Sequence, residues 1–289
     1  MGFDTRDSTL YCVANGGHWD YSGNEVDAIR LSADAPQWVE RLAPSSNVGG
    51  GNQFYYPDGR PSSRHTYYTE HCIEARNRVM TFGAPSIWGD GGGGPVVDGW
   101  NMITSQYDPA GTYPSAPFIP TAGAAACKDP ATENVYVLSP NAQLMRWNQA
   151  ANTWTTISNY WETSGYVAAS ACDTTRNRIL WVDIGGAGWL LNLSDNSSQS
   201  VGGLVGGGAH GMVYVPELDA YLLRQDGSGS TVFRINASTF AVNSSPVTGG
   251  SGIQSSENGV YNRFVYAPRL GGVVYCAAYN GNIWFLRTR

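Results

Sequence analysis

Short apolar runs recur along the chain in pairs, each pair joined by a tight polar turn. The pairs read FDTRDSTLYCV from Phe3, IEARNRVMTF from Ile73, KDPATENVYVL from Lys128, CDTTRNRILWV from Cys172, VPELDAYLL from Val215 and APRLGGVVYC from Ala267. Runs of four to six apolar or alternating residues around a turn with Asp or Pro early and often Asn late predict strand, turn, strand. Taking the Asp, Glu or Pro of each turn as a marker gives positions 4, 74, 129, 173, 216 and 268, and gaps of 70, 55, 44, 43 and 52 residues. A basal period near 43, with the excess in insertions, is the signature of propeller blades. The predicted fold is all-β, a six-bladed β-propeller with mostly four-stranded antiparallel blades. It forms one domain over residues 1–289, with blades at about 1–42, 64–118, 121–158, 165–201, 207–247 and 258–289.

Third and fourth strands follow in most units. Residues 25–31 alternate and lead to Trp38, and residues 143–147 lead to Trp154, so the spacings 31 to 38 and 147 to 154 are both seven. That spacing predicts an aromatic residue at one height on the fourth strand of two blades, packed between neighbouring sheets. The last unit supplies three strands and the first has three residues before its turn. Closure is therefore expected to join the sixth blade to the first, with the termini adjacent.

Three runs carry a family likeness: GGHWDYSGNEVDAIRL at 16–31, DGRPSSRHTYY at 58–68 and ENGVYNRFVYAPRLGGVVY at 257–275. Together they resemble the Kelch-like, galactose-oxidase-like propellers of bacterial secreted and phage proteins, over essentially the whole chain. The Gly-Gly doublet that the strict Kelch pattern places after the second strand stands there only at Gly16-Gly17 and Gly185-Gly186, so the resemblance is to divergent members. It implies the propeller fold. It does not select a function, because this architecture carries oxidases, lyases, lectins and scaffolds.

Charge narrows the partners. A charged fraction of 14%, a formal net charge of −6 and a sequence pI near 5.1 leave no basic stripe for phosphates, so no nucleic acid is expected. The longest uncharged stretch, residues 110–127, is broken by prolines and glycines, so no membrane insertion is expected. The N-terminus lacks the pattern of a signal peptide, which was either removed or never present. Five cysteines (Cys12, Cys72, Cys127, Cys172, Cys276) make an odd set without a C-x-x-C pair, and read as buried small residues without disulfide or zinc. Cys12 and Cys276 fall at equivalent heights in blades expected to be neighbours on closure, which stand too far apart for a bridge.

Blade topology sorts the rest. The marker turns share one face with the third-to-fourth turns and leave it little depth. The other face receives long segments at 43–63 and 83–99, with shorter ones at 16–24, 158–165, 202–208, 226–230 and 249–262. Loops on one side of a rigid scaffold are the usual place for function. His18, Asp20, Trp88, Asp90, Tyr160, Trp161 and His210 are the expected binding residues there, since exposed Trp and Tyr stack on sugars or anchor interfaces. Arg64 and His65, with Arg263 and His210, are placed just before inner strands, where Arg and His commonly line the channel and tie blades through backbone carbonyls. His71 falls later along its strand, away from that face.

The expected function is a non-catalytic binding or structural module on a phage virion surface, in capsid decoration or receptor binding. It would present the loop-rich face to a glycan or to a virion or cell-surface protein, and could be one oligomeric part of a larger assembly. The expected location is the virion surface or the extracellular space, with no cofactor and no metal. The alternative is a secreted polysaccharide-active enzyme of the lyase type. It would use Tyr166 or His65 as base and Arg64 or Arg263 to stabilise an enolate-like intermediate. A copper-radical oxidase is excluded by the strand positions of the cysteines, and a sialidase by the lack of an S-x-D-x-G-x-x-W box.

Overall fold

Each repeat is built around one turn whose chemistry recurs. The marker aspartates are buried and fold their carboxylates back on the next backbone. Asp4 Oδ1 accepts from Arg6 N at 2.9 Å, Asp129 Oδ1 from Ala131 N at 3.0 Å, and Asp173 Oδ1 from Thr175 N and Arg176 N at 3.1 and 3.0 Å. The turn then passes through the left-handed region at Ser8, Asn77, Glu133, Asn177, Asp219 and Gly271, with φ between 44° and 71°. Asn, Asp and Gly bear that conformation at least cost, which is why Asn recurs late in the pattern.

A second recurrent turn joins third strand to fourth. Asn101, Asn148, Asn192 and Asn236 each accept the backbone N–H four residues on at 2.9 Å, through their own carbonyls. Their side-chain Oδ1 atoms take N–H groups two or three residues on. These asparagines lie 47, 44 and 44 residues apart, a repeat as regular as the markers.

The structure is a computed structural model, and it describes every residue except 15, 17–20, 50, 90–91, 121–123, 139–142, 160–168, 207–208, 257–258 and 279–280. The first sheet is β1 (Gly2–Asp4), β2 (Thr9–Val13), β3 (Val26–Arg30) and β4 (Trp38–Leu42). Then come β5 (Arg64–His65), β6 (Glu70–Ile73), β7 (Arg78–Ala84), β8 (Ser86–Ile87), β9 (Gly94–Asn101) and β10 (Gln106–Tyr107). The third sheet is β11 (Ala126–Lys128), β12 (Val135–Leu138), β13 (Gln143–Asn148) and β14 (Thr153–Asn159). The fourth is β15 (Ala169–Asp173), β16 (Arg178–Val182), β17 (Gly188–Asn192) and β18 (Ser198–Val201). The fifth is β19 (Gly211–Val215), β20 (Ala220–Arg224), β21 (Thr231–Asn236) and β22 (Val242–Pro246), and the sixth β23 (Phe264–Ala267), β24 (Gly272–Cys276) and β25 (Ile283–Arg287).

These strands make five four-stranded sheets and one of three strands, all antiparallel, the architecture of a six-bladed β-propeller. The second blade is β6-β7-β9-β10, while β5 and β8 pair separately as a two-stranded sheet. Helix is limited, among the described residues, to three single 3₁₀ turns, and no helix is long and apolar enough to cross a membrane.

The chain divides into two compact units. One comprises Met1–Ala124 and Thr132–Trp161, the other Ala125–Ala131 and Glu162–Arg289. In the first unit, Tyr11, Val26, Cys72 and Trp100 share a core cluster, and Phe82 packs on Trp147 at 5.0 Å. In the second, Val215, Leu222, Phe264 and Tyr275 share another. Trp100, Trp147 and Trp181 are fully buried, whereas Trp38 and Trp154, the two expected to pack between sheets, are half-buried. All five cysteines lie in strands and carry free thiols, four buried and Cys12 half-buried.

Three local expectations are corrected. Residues 83–99 are not one long loop, because most of the segment is drawn into the end of β7, β8 and β9. Arg64 and His65 do not stand immediately before the inner strand of the second blade; they form β5, and β6 begins at Glu70. Trp38 stands opposite Ile29 whereas Trp154 stands opposite Trp147, so the shared spacing of seven does not give a shared register. The first blade's longer third-to-fourth connection, from Arg30 to Trp38, absorbs the difference.

Candidate functional site

The segment between the first and second blades is the largest irregular feature of the first unit, and it is fastened by buried polar groups. Asn24, fully buried, donates through Nδ2 to Pro61 O at 2.8 Å and accepts Ser45 N at 2.8 Å. Tyr56 Oη donates to Ser22 O at 2.6 Å and accepts Ser63 N at 3.2 Å. Ser63 Oγ donates to Tyr21 O at 2.7 Å. The backbone of Arg64 completes the link, its N–H meeting Ala14 O and its carbonyl meeting Gly16 N.

Arg64 is 0% exposed. Its Nη1 pairs with Asp98 Oδ2 at 2.8 Å, while Nε and Nη2 donate to the carbonyls of Ser62 and Phe54 at 3.0 and 2.9 Å. Asp98 also accepts Tyr55 Oη at 3.0 Å. Burial, with the Asp98 charge behind it, pushes the Tyr55 phenol well above its ordinary range. A buried pair whose three guanidinium nitrogens and two carboxylate oxygens are each hydrogen-bonded orders the segment it ties down, and removing one partner would strand the other charge. Arg64 therefore acts as a strut between residues 54–62 and β9, with its charge neutralised.

Around this strut stand half-buried and exposed aromatic rings. Tyr21 is 49% exposed, and Tyr67 and Trp88 are half-buried. His65 Nδ1 lies 3.0 Å from Tyr67 Oη, with the rings edge-on at 5.3 Å. Trp88 is held at its backbone, N–H to Ser63 O and carbonyl from Asn52 N, both at 2.8 Å. Gly89 behind it has φ 124°, and an added Cβ would meet Asn52 N at 2.4 Å, so the chain at Trp88 is wedged against the insertion.

In the second unit, His210 is 0% exposed and its Nε2 meets Val182 O at 3.1 Å, tying the start of the fifth blade to the fourth. Arg263 is half-buried and donates through Nη1 to Ala277 O at 2.8 Å. These two residues do precede inner strands, β19 and β23, and both spend a nitrogen on a backbone carbonyl. His18, Asp20, Asp90, Tyr160, Trp161 and Tyr166 lie outside the described residues.

The structure thus brings Arg64, His65 and Trp88 together in the first unit and places His210 and Arg263 in the second. Sequence reasoning passed over Tyr21, Asn24, Tyr55, Tyr67 and Asp98. The runs FYY at 54–56 and TYY at 66–68 were the available signal for the tyrosines. As a chemical arrangement, the first unit offers aromatic faces beside a histidine–tyrosine hydrogen bond. Its buried arginine is already committed to a carboxylate.

No family model matches the chain, and no curated protein does. Solved structures do, among them one titled "Structure of U3-55K", at 10% identity and a TM-score of 0.40 over 58% of this chain. The chain covers 48% of that structure, about half its length.

Proposed function

We propose that the protein is a non-catalytic recognition module that binds a glycan through the aromatic surface beside the 43–69 segment. The observation that carries this reading is the combination of a rigid base, the buried Arg64–Asp98 pair, with Tyr21, Tyr67 and Trp88 at the surface above it. Flat amphipathic rings held in place offer stacking faces at low entropic cost. The likeness of residues 16–31, 58–68 and 257–275 to Kelch-like propellers of secreted and phage proteins supports a site of action on a virion surface or outside the cell. A protein partner would use the same rings as anchors.

The test replaces Trp88 and Tyr21 with Ala, singly, and titrates both variants against an array of bacterial surface glycans. Binding should weaken tenfold or more, about 1.4 kcal/mol, with the melting temperature close to wild type. Unchanged binding rejects the surface, and a large loss of stability in Trp88→Ala makes that ring part of the core.

A lyase reading draws on the His65–Tyr67 hydrogen bond, a proton-transfer pair in form. It needs a cation for the enolate, and Arg64 is spent on Asp98. Incubation with acidic polysaccharides, following the ultraviolet absorbance of a new double bond, separates the two readings.

A further inference from the structure

Five blades carry a fourth strand outside the third, and the sixth has its third strand, β25, at the edge. The residue just before the third-to-fourth turn shows what that outer strand does. Ile29, Trp100, Trp147, Leu191 and Ile235 stand at this height in the five four-stranded blades, and each is at most 6% exposed. In three of the five the residue opposite on the fourth strand is aromatic: Trp38, Tyr107 and Trp154. Leu286 is the equivalent residue of the sixth blade, paired with Val273 on β24. With no strand beyond it among the described residues, it is only half-buried.

β25 is also unlike the outer strands in its chemistry. Edge strands are normally kept from pairing by charge, polar residues, proline or a bulge. β4 carries Glu40 and Arg41, β18 reads SQSV, and β22 reads VNSSP. β25 reads IWFLR, pairs with β24 in an unbroken register, and leaves Phe285 45% exposed. Alternate residues of an edge strand point their N–H and C=O away from the sheet, and among the described residues no backbone bond of 283–287 runs outside it. Thr288 and Arg289 turn toward the blade's first turn instead, donating to Gly271 O and Pro268 O. The second unit thus presents an apolar strand with one side of its ladder open.

We propose that two copies of the chain associate here, β25 of one pairing antiparallel with β25 of the other about a twofold axis through Phe285. An antiparallel pair of identical strands is self-complementary, as a closed dimer requires. Centred on Phe285, the register uses all five residues of each strand and sets Trp284 of each copy opposite Leu286 of the other. Both residues pack on the core of the blade, on one face of the strand. The second copy's tryptophan therefore takes the place that Trp38, Tyr107 and Trp154 fill in the complete blades. The two Phe285 rings face each other, and Arg287, the one charge in the strand, meets Ile283, so no like charges stand opposite. Five residues a side make less than a standard interface, so the dimer forms at high concentration and dissociates on dilution. The edge shares no residue with the aromatic surface at Tyr21, Tyr67 and Trp88, and stands or falls separately from it.

The experiment sediments the full chain from about 2 to about 200 µM, with hydrogen exchange followed at both ends of the range. Monomer should give way to dimer as concentration rises. Residues 283–287 should exchange fast when dilute and severalfold more slowly when concentrated, with β4 and β22 unchanged. Phe285→Lys and Phe285→Glu each set like charges face to face across the axis, and each variant alone should stay monomeric at the top of the range. Mixed in equal amounts the two should form a heterodimer, because a twofold axis at this residue brings the opposite charges together. Should neither variant fold, the concentration dependence of wild-type exchange decides alone. The proposal is overturned by a wild-type chain that stays monomeric throughout, by a dimer that leaves the exchange of β25 unchanged or persists in both variants, or by folded variants that fail to associate when mixed.

Discussion

Ser8 carries two costs at one position. Its φ of 61° lies in the left-handed region, and its hydroxyl is buried with no partner among the described residues. Its carbonyl accepts Leu31 N at 2.9 Å, a main-chain bond that any residue would keep. Left-handed backbone costs a side-chain-bearing residue about 1–2 kcal/mol, and an orphan buried hydroxyl about 1–3. Glycine brings back roughly 0.5–1 kcal/mol of chain entropy. Ser8→Gly should therefore stabilise the protein by on the order of 1 kcal/mol, read as a higher urea midpoint with unchanged slope; a lower midpoint would mean the hydroxyl does work the geometry does not reveal. At this scale residue type was legible and partner was not. Arg64 could be read as a strut from its kind, but Asp98 lies 34 residues away in β9 and no local spacing links the two.

Between elements, the marker turns do more than reverse the chain. Thr5 N and Oγ1 both donate to Glu74 Oε1 at 2.8 Å, and Glu133 in turn accepts Glu74 N and Ala75 N at 2.8 and 2.7 Å. In the second unit Arg176 pairs with Asp219, and Glu217 accepts Tyr266 Oη at 2.6 Å and Thr288 Oγ1 at 2.7 Å. The face that sequence reasoning set aside as shallow is thus where consecutive blades lock together. Burial pushes the Glu217 carboxyl up, but the bonds from Tyr266, Thr288 and Arg289 outweigh it and hold it at about 2 against an ordinary 4.5. Asp219 is held at about 2 as well, chiefly by its hydrogen bond from Arg176. Because the folded value lies below the unfolded one, this stabilisation is complete above pH 4.5 and is lost as pH falls toward 2. Glu217→Gln should lose stability at pH 7 and show a shallower decline from pH 4.5 to 2.5 than wild type in urea titrations. Parallel curves would remove Glu217 from the interlock. The asparagines late in the marker turns were legible because that turn makes the same demand in every blade, whereas the repeat of Asn192 and Asn236 between third and fourth strands was passed over. The β5–β8 pair was not, since strands of two residues have no periodicity to read.

For the whole molecule, the repeat was legible because every blade meets the same requirement: a sheet sandwiched between neighbours must be apolar on both faces near its inner edge. The candidate site was not, since equivalent positions along a repeat say what height a residue occupies and nothing about which blade is special. Arg224 illustrates the gap, as its peers at the ends of second strands, such as Val13 and Val182, are apolar. The same burial gradient yields a test across all blades. β2, β19 and β24 are buried almost throughout, whereas β4 and β22 are exposed along most of their length. β25 alternates between half-buried and exposed although it is a third strand, because the sixth sheet ends there. Its counterpart β21 in the fifth blade is covered by β22 and more enclosed. Amide exchange reports local opening, and strands with one unpaired edge and few apolar contacts open at the lowest cost. Hydrogen exchange followed by peptide mass should therefore group β25 with β4 and β22 as fast, and β21 with the protected strands. If β25 exchanged as slowly as β21, protection would follow a strand's order within its blade instead of its place at the sheet's edge, and the gradient would be the wrong account of where this propeller is stable.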